Sequence, residues 1–527
     1  MKIKISQLDL PPDYTPEQLL AAVAKKVRCK PPALSGLKII RRSIDARGRS
    51  PRLNLVVEAE FDGKLSPALK DVEAQSHKGT EAQRKNSAIV NCQSSILVVG
   101  AGPAGLMAAY ELATKGFKPV LIERGEAAAA RAGTVEQFWR TGELNTESNV
   151  LYGEGGAGMF SDGKLTSRSK DRPRVRRFLE ILIGAGASPD ILVDAEPHIG
   201  SDNFEMILPA LRNRILELGG DVRFGARLDR LLIENNAVRG AVVNGEEIRA
   251  DACVLATGHS ARDIYEMLAA AGVPLEPKAF AVGVRLEIPQ HRIDTAQWGG
   301  AYPSLGRASF RLTRREEENA RACYTFCMCP GGLVIACASS AGHLTTNGMS
   351  LSQRDKPLGN AAFLVPVSPT DFPNKETLAG IEFQKKLEAA AFAAGGGNYG
   401  LPAQRLVDFL EGAAPSELPA ERSCGRAVAA QLRGLLPEFV EHTLRSAIPK
   451  MMRELRGVPL DEAVLYAAET RSSSPVRIVR DETGQSPVRG LYPCGEGAGY
   501  SGGIVSSGID GLRVAELIIG ETTHEVR

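Results

Sequence analysis

The apolar positions change period several times along this chain, and each change marks an element. Ile3 and Ile5 alternate with lysines, as in a strand, and Leu19, Leu20, Val23 and Val27 then recur at helical spacing. Thr15-Pro16-Glu17-Gln18 has the chemistry of a helix start: Thr15 can cap, Pro16 tolerates the first turn and Gln18 can reach back. Leu37 to Ile40 and Leu53 to Phe61 read as strands, so residues 1–90 are expected to form a small β-α-β-β unit. Residues 66–91 are polar, carry Lys70, Lys78, Arg84 and Lys85, and read as a linker or a solvated helix.

The pattern then changes to a continuous apolar run, Ile96 to Val99, that enters Gly100-Ala101-Gly102-Pro103-Ala104-Gly105. A helix from Leu106 to Thr114 and a strand from Pro119 to Glu123 complete a β-α-β unit. Further on, Phe204 to Leu218 reads as a helix, Val222 to Leu232 and Val238 to Val243 as strands, and Ala252 to Gly258 as a strand ending in Thr257-Gly258. Residues 285–465 have another texture, with short strands, Pro-Gly breaks and an alanine-rich helix from Lys385 to Ala394. They read as an inserted α+β substrate domain. The end of the chain returns to strand (Leu491 to Pro493), glycine-rich turn (Gly495 to Gly503) and helix (Ile504 to Ile519). The expected class is α/β, with a Rossmann-like dinucleotide domain formed by 91–284 and 466–527, the insert at 285–465 and the small unit at 1–90.

Composition narrows the classes. Of the 527 residues 43% are hydrophobic and 24% charged, which excludes a disordered tail or a coiled coil. Lys plus Arg is 64 against 62 acids, so the net charge of +2 argues against a dedicated duplex-binding protein. Nine cysteines show no disulfide framework and no four-ligand zinc spacing, which fits reduced thiols in the cytoplasm and no metal. No run of about 18 apolar residues occurs and the N-terminus lacks a signal-peptide pattern, so neither a membrane span nor export is expected.

The chemistry starts at Gly100. A glycine there permits the tight turn, Gly102 lets the backbone approach a pyrophosphate, and Gly105 lets the helix pack close to the strand. Amides at the helix start face the phosphates, with Pro103, which has no N–H of its own, and Ala104 opening the helix, and Glu123 stands where a ribose acceptor is needed. The motif indicates a dinucleotide without separating NAD from FAD. Two later segments separate them: the Thr257-Gly258 strand end and Cys494-Gly495-Glu496-Gly497-Ala498-Gly499 before a helix. Glu496 can bond the ribitol or the pyrophosphate region. Gly502-Gly503-Ile504 sets a helix N-terminus whose positive end can stabilise a reduced flavin.

With these segments the chain resembles the glutathione-reductase-type FAD superfamily and, within it, a group of bacterial and plastid FAD-dependent dehydrogenases. The matching stretches include Tyr152 to Gly158, Ser161 to Leu165, Glu196 to Gly200, Thr257 to Asp263, Phe326 to Gly332, Asn347 to Ser350 and Glu469 to Arg477. The resemblance implies that Gly155, Gly156 and Gly158 line the isoalloxazine, that Lys164 lies near phosphate or flavin, that Glu123 and Arg124 flank the adenosine ribose, and that the backbone at Leu228 meets adenine. Unlike the disulfide reductases, the chain has no second GxGxxG unit and no Cys-x-x-Cys or CxxxxC pair near the first domain. A reductant, NAD(P)H or another carrier, must then reach the flavin through the substrate cleft.

For catalysis, Arg471 and Ser473 precede the flavin turn, and a guanidinium there suits a substrate carboxylate or an ion pair between domains. His259, with Arg262 nearby, is a candidate at the cofactor, and His198 a weaker one. Asn347, Met349, Ser350 and Arg354 are expected along the cleft of the insert. Cys327 and Cys329 would face one side of a strand, as a redox couple, half a metal site or simply packed side chains. The expected function is hydride transfer between a small polar or anionic substrate and non-covalent FAD. A flavin-dependent RNA-modifying protein and a non-catalytic flavin-binding regulator are the alternatives.

Overall fold

The computed structural model describes residues 1–48, 50–66, 69–75, 94–299, 303–316 and 321–525. The N-terminal residues form a four-stranded antiparallel sheet in the order Leu34–Asp45, Arg52–Phe61, Lys2–Leu10, Val72–Ala74. Strand Arg52–Phe61 buries alternate residues from Leu53 to Phe61, and helix Pro16–Val27 covers that face with Val23, Ala24 and Val27. The expected cap is present: Gln18 N donates to Thr15 Oγ1 at 3.3 Å, and Thr15 N donates to Gln18 Oε1 at 2.9 Å. The stretch read as a linker contributes the fourth strand, because Val72 to Ala74 pair with Ile5 to Ile3. Residues 67–68 and 76–93, with the boundary at residue 90, lie outside the described residues.

A five-stranded parallel sheet forms the centre, in the order Leu491–Pro493, Ala252–Leu255, Ile96–Val99, Val120–Ile122, Asp221–Arg223. Its strands are short, and all but the edge strand Asp221–Arg223 are apolar because both faces are covered. Helices Pro103–Thr114 and Ile504–Glu525 lie against each other, and a Cβ added at Gly511 would fall 2.1 Å from the Ala104 carbonyl oxygen. The strand expected over Val222 to Leu232 is instead two. The chain leaves the parallel sheet after Arg223, turns at Gly225 (φ +62°) and starts a three-stranded antiparallel meander at Leu228.

The inserted residues form a seven-stranded sheet in the order Thr313–Arg315, Ala322–Cys329, Leu358–Val367, Phe280–Pro289, Val464–Glu469, Leu401–Arg405, Ala427–Ala429. The expected boundaries at 284/285 and 465/466 both fall inside strands of this sheet, Phe280–Pro289 and Val464–Glu469. Continuous apolar runs at both places hid the crossing points. Helix Ala379–Ala394 begins six residues before the expected Lys385. Among the described residues no helix is long and apolar enough to cross a membrane.

Candidate functional site

A cavity of 1890 Å³ runs between the parallel sheet and the seven-stranded sheet. That is about twice the upper end of ordinary small-molecule sites, which leaves room for a dinucleotide and a second ligand. Three glycine-rich loops build one wall. In the first, Gly100 has φ +101° and its Cβ would lie 2.5 Å from the Ala256 carbonyl oxygen, while a Cβ at Gly105 would lie 1.8 Å from the Gly100 carbonyl oxygen. Both positions require glycine for the protein's own packing. Gly102 differs: φ is −75°, and the nearest atom to an added Cβ is Gly156 Cα at 3.9 Å. The space in front of it is open, with Pro103 and Ala104 starting the helix beside it.

The second loop, Gly153 to Gly158, packs onto the first. Gly155 N donates to the Ala101 carbonyl at 2.8 Å, and a Cβ at Gly156 would come 3.3 Å from Gly102 Cα. Its conformation is held by Arg131, a residue the motif reading missed. Arg131 is fully buried, and its guanidinium donates to the carbonyls of Asn149, Glu154, Gly156 and Val150 at 2.7–2.9 Å. Burial lowers it to about 10, so it stays charged at neutral pH. The third loop seats Gly495 against Ala104, with 2.7 Å to an added Cβ, and anchors Gly495 N on Asp510 Oδ2 at 2.8 Å. Gly502, Gly503 and Ile504 then border the cavity at the start of the C-terminal helix.

Most of the residues expected to hold the cofactor line this cavity: Gly100, Gly102, Pro103, Ala104, Glu123, Arg124, Gly156, Gly158, Lys164, Leu228, Thr257, Gly258, Glu496 and the Gly502-Gly503-Ile504 turn. Gly105, Gly155 and Gly495 stand behind the wall and serve its packing. Glu123 is tied more closely to the protein than expected. Its Oε2 accepts from Ala101 N at 2.8 Å, and Oε1 accepts from Gly125 N at 2.9 Å and Gly153 N at 3.0 Å. One carboxylate therefore joins two glycine loops, with lone pairs left for a ribose hydroxyl. Arg124 pairs with Glu147 at 2.9 Å and Asp263 at 3.0 Å, and lies 4.6 Å over the Tyr152 ring. Lys164 donates from Nζ to the Met328 carbonyl, spanning to the opposite wall.

The catalytic candidates separate. Arg471 borders the cavity, but its fork is taken. Nε and Nη2 donate to Glu388 at 2.9 and 2.8 Å, and Nη1 donates to Ser339 Oγ at 2.8 Å. Arg262 makes a second bidentate pair to the same carboxylate, at 2.9 and 2.7 Å, from outside the cavity lining. Burial works against the charged Glu388, but Arg471 and then Arg262 outweigh it and hold the carboxyl well below its usual range. The expectation of Arg471 as a free substrate clamp is corrected: it is a buried ion pair to the insert helix. The cluster carries 2 − 1 = +1 at the cavity wall, from two arginines and one glutamate. Ser473 lines the cavity, and Ser472 beside it is bound to Ala281.

His259 lines the cavity with a buried Nδ1 that has no hydrogen-bond partner among the described residues. Burial, then the charges of Arg471 and Arg262, push it down to about 3, so the ring is neutral at physiological pH. Its Nε2 is 4.0 Å from Glu496 Oε1. Burial pushes Glu496 up to about 7, opposed by the Gly503 amide and Lys278. Lys278, also on the cavity wall, was not singled out in the sequence because nothing marks it except its place before a strand. His198 is bound to the Ser352 carbonyl at 3.0 Å and lies outside the lining. Of the expected cleft residues only Asn347 lines the cavity. Met349 is core, Ser350 donates to the Pro330 carbonyl, and Arg354 pairs with Asp162. Cys327 and Cys329 both line it. No group of three metal-ligating side chains occurs among the described residues.

These features fit FAD. The open approach at Gly102, the helix start behind it and the orphaned His259 Nδ1 are what a bound dinucleotide would use. Three families match in sequence: "FAD-dependent protein, C-terminal domain-like" at residues 279–472, "Pyridine nucleotide-disulphide oxidoreductase" at 94–283, and "Domain of unknown function (DUF8436)" at 2–60. The first spans the seven-stranded sheet without cutting Phe280–Pro289 or Val464–Glu469. An uncharacterized protein from Clostridium beijerinckii is 40% identical over 98% of this chain and 99% of its own length. A thiamine thiazole synthase from Aeropyrum pernix is 27% identical over 32% of this chain and 56% of its own. The solved L-proline dehydrogenase from P. horikoshii shares 16% identity over 81% of this chain and 94% of that one, at a TM-score of 0.34. Full-length agreement with the Clostridium protein, together with the two FAD and nucleotide domains matched over residues 94–283 and 279–472, places the chain in that protein's family and makes it an FAD-dependent oxidoreductase.

Proposed function

We propose that the protein is a dehydrogenase that moves a hydride between a small polar or anionic substrate and non-covalent FAD. The observation that carries this reading is the continuity of one cavity from the glycine loops to the face of the seven-stranded sheet. Gly102 and the helix start at Pro103 would hold the pyrophosphate, Glu123 the ribose, the backbone at Leu228 the adenine, and Gly156, Gly158 and Lys164 the ring. When bound, FAD supplies the hydride chemistry. The protein's own groups would orient the substrate and handle its proton. Glu496 near neutrality can hold a proton on its carboxyl and pass it to or from a substrate, while the neutral His259 ring, with Nε2 4.0 Å from that carboxyl, can orient the substrate by hydrogen bonding. The +1 arginine–glutamate cluster, Lys278 and Lys164 favour a substrate with anionic or polar groups. NAD(P)H or another carrier would use the same entrance.

Anaerobic stopped-flow tests the reading. The FAD-loaded protein is mixed with NADH, NADPH and then a panel of small metabolites while flavin absorbance is followed. Saturable bleaching by one of them is expected. A flavin that bleaches under photoreduction but with no compound of the panel would favour a regulator over a dehydrogenase.

A further inference from the structure

Cys327 and Cys329 border the cavity, and the proposed hydride transfer uses neither. Their strand does not run straight. It pairs Phe326 with Ala362 and resumes at Cys329 with Asn360, so Cys327 and Met328 bulge out of the ladder. Cys327 takes φ +42°, a left-handed conformation that side-chain-bearing residues rarely adopt. The bulge corrects the simple picture of two cysteines facing one side of a regular strand. Cys329 Sγ lies 3.3 Å from the carbonyl oxygen of Cys327, folded back over that residue.

Cations fix the bulge from two sides. Arg285, fully buried and held on Glu469 by two bonds of 2.7 Å, donates to the Cys327 carbonyl at 3.2 Å. Lys164 donates to the Met328 carbonyl. A Cβ at Gly348 would lie 2.2 Å from Asn360 Oδ1, 2.4 Å from Arg285 Nη1 and 3.0 Å from Cys329 Sγ, so glycine there lets Arg285, Asn360 and the sulfur pack together. Strained backbone held in place by buried charge is the kind of outlier that marks a working site.

We propose that Cys327 and Cys329 form a redox-active dithiol that closes to a disulfide by delivering two electrons to bound FAD. The proposal rests on the reading above, in which the flavin ring lies near Lys164. In the step, an S–S bond forms between the two Sγ atoms and both S–H bonds break. The two electrons pass to oxidised FAD, which is reduced, one proton accompanies them and the other leaves to solvent. Cys327 is an exposed residue of the cavity wall; desolvation by the surrounding atoms still pushes its thiol up, opposed first by the Lys164 ammonium. Burial and then the Asp162 carboxylate push Cys329 up to about 11, opposed by Arg285 and Lys164. The resting pair is therefore protonated at pH 7, and closure should accelerate with pH as the thiolate fraction grows.

The test starts from FAD-loaded protein reduced with a phosphine and freed of it without oxygen. The expected result is the loss of two titratable thiols and of two hydrogens from the intact mass, with one flavin bleached per pair closed. Cys327→Ser and Cys329→Ser should each abolish closure while still carrying FAD, and Cys337→Ser should close as the wild type does. Closure should speed up by about tenfold per pH unit between 7 and 9, and Lys164→Met should slow it. A full thiol count and unshifted mass in protein that carries oxidised FAD would overturn the proposal and leave the flavin reading intact. Protein that takes up no FAD would instead defeat the flavin reading. In that case closure of the pair by glutathione disulfide, lost in Cys329→Ser, would still mark it as a redox pair, and no closure would overturn that too.

Discussion

Arg471 shows how a single side chain can suit a function and be committed elsewhere. A guanidinium ahead of the flavin turn suits a substrate carboxylate, but the partner it meets, Glu388, lies 83 residues away on a helix of the insert. Nothing local in the sequence marks that partner. Arg262 keeps Glu388 paired when Arg471 is removed, so the cost is that of the lost hydrogen bonds to a charged group, about 1.5–3 kcal/mol. Arg471→Ala should therefore lower the unfolding free energy, read from denaturant melts, by about that much, with FAD affinity nearly unchanged in the folded fraction. Arg471→Lys should recover only part of it, since an ammonium cannot make the fork. Unchanged stability with a raised KM would restore Arg471 as a substrate clamp. Glu496 offers a pH test. Its folded value of about 7 lies above the ordinary 4.5, so its contribution to stability is full below pH 4.5 and is lost as pH rises through 7. The apoprotein should lose on the order of 3 kcal/mol across that window, and Glu496→Gln should flatten the slope in melts at pH 5 to 8. His259→Asn should leave it in place, because a ring pushed down to about 3 does not titrate there.

At the scale of elements, what was legible followed from short-range pattern. The strand–glycine turn–helix–strand–acid order at Ile96 to Glu123 needs only neighbours in sequence, and so does the capping box at Thr15. The cofactor wall could be read for the same reason: its residues sit in glycine turns, whose backbone demands are local. The less legible parts depend on long-range pairing. Strands Phe280–Pro289 and Val464–Glu469 are buried almost throughout, their charged residues Arg285, Glu287 and Glu469 included, so the pattern cannot say which sheet they join. The bulge at Cys327 depends on Arg285 and Lys164, distant in the chain. Arg131 did leave a trace. It falls in the buried helical stripe Ala128, Arg131, Val135, Phe138, where a charge has no business unless something satisfies it. Arg131→Met should leave the Asn149, Val150, Glu154 and Gly156 carbonyls without their donor. The Gly153 loop should loosen and FAD affinity should fall by more than tenfold, as read by fluorescence titration of reconstituted protein. Equal affinity in Arg131→Met would show that the loop holds its shape without it.

Across the whole molecule, the N-terminal unit contributes no residue to the cavity lining among the described residues, yet is fastened to its surroundings. Arg42 pairs with Asp194 at 2.7 Å, its backbone bridges to Val193 and Ala195, and Leu305 packs into the N-terminal core. A chain starting at residue 94 should bind FAD with near-normal affinity but melt lower, since it exposes Leu305 and Trp298. A folded but colourless product would place the small unit within the cofactor site. The central claim, that FAD lies over Gly102 in this cavity, is tested most directly by Gly102→Val. The position has ordinary φ and 3.9 Å of clearance, so the added side chain enters ligand space rather than the protein's own packing. Measured as FAD affinity of the apoprotein beside its melting temperature, the account predicts a melting temperature close to the wild type and a loss of FAD affinity of more than a hundredfold. A folded Gly102→Val that binds FAD as the wild type does would contradict it.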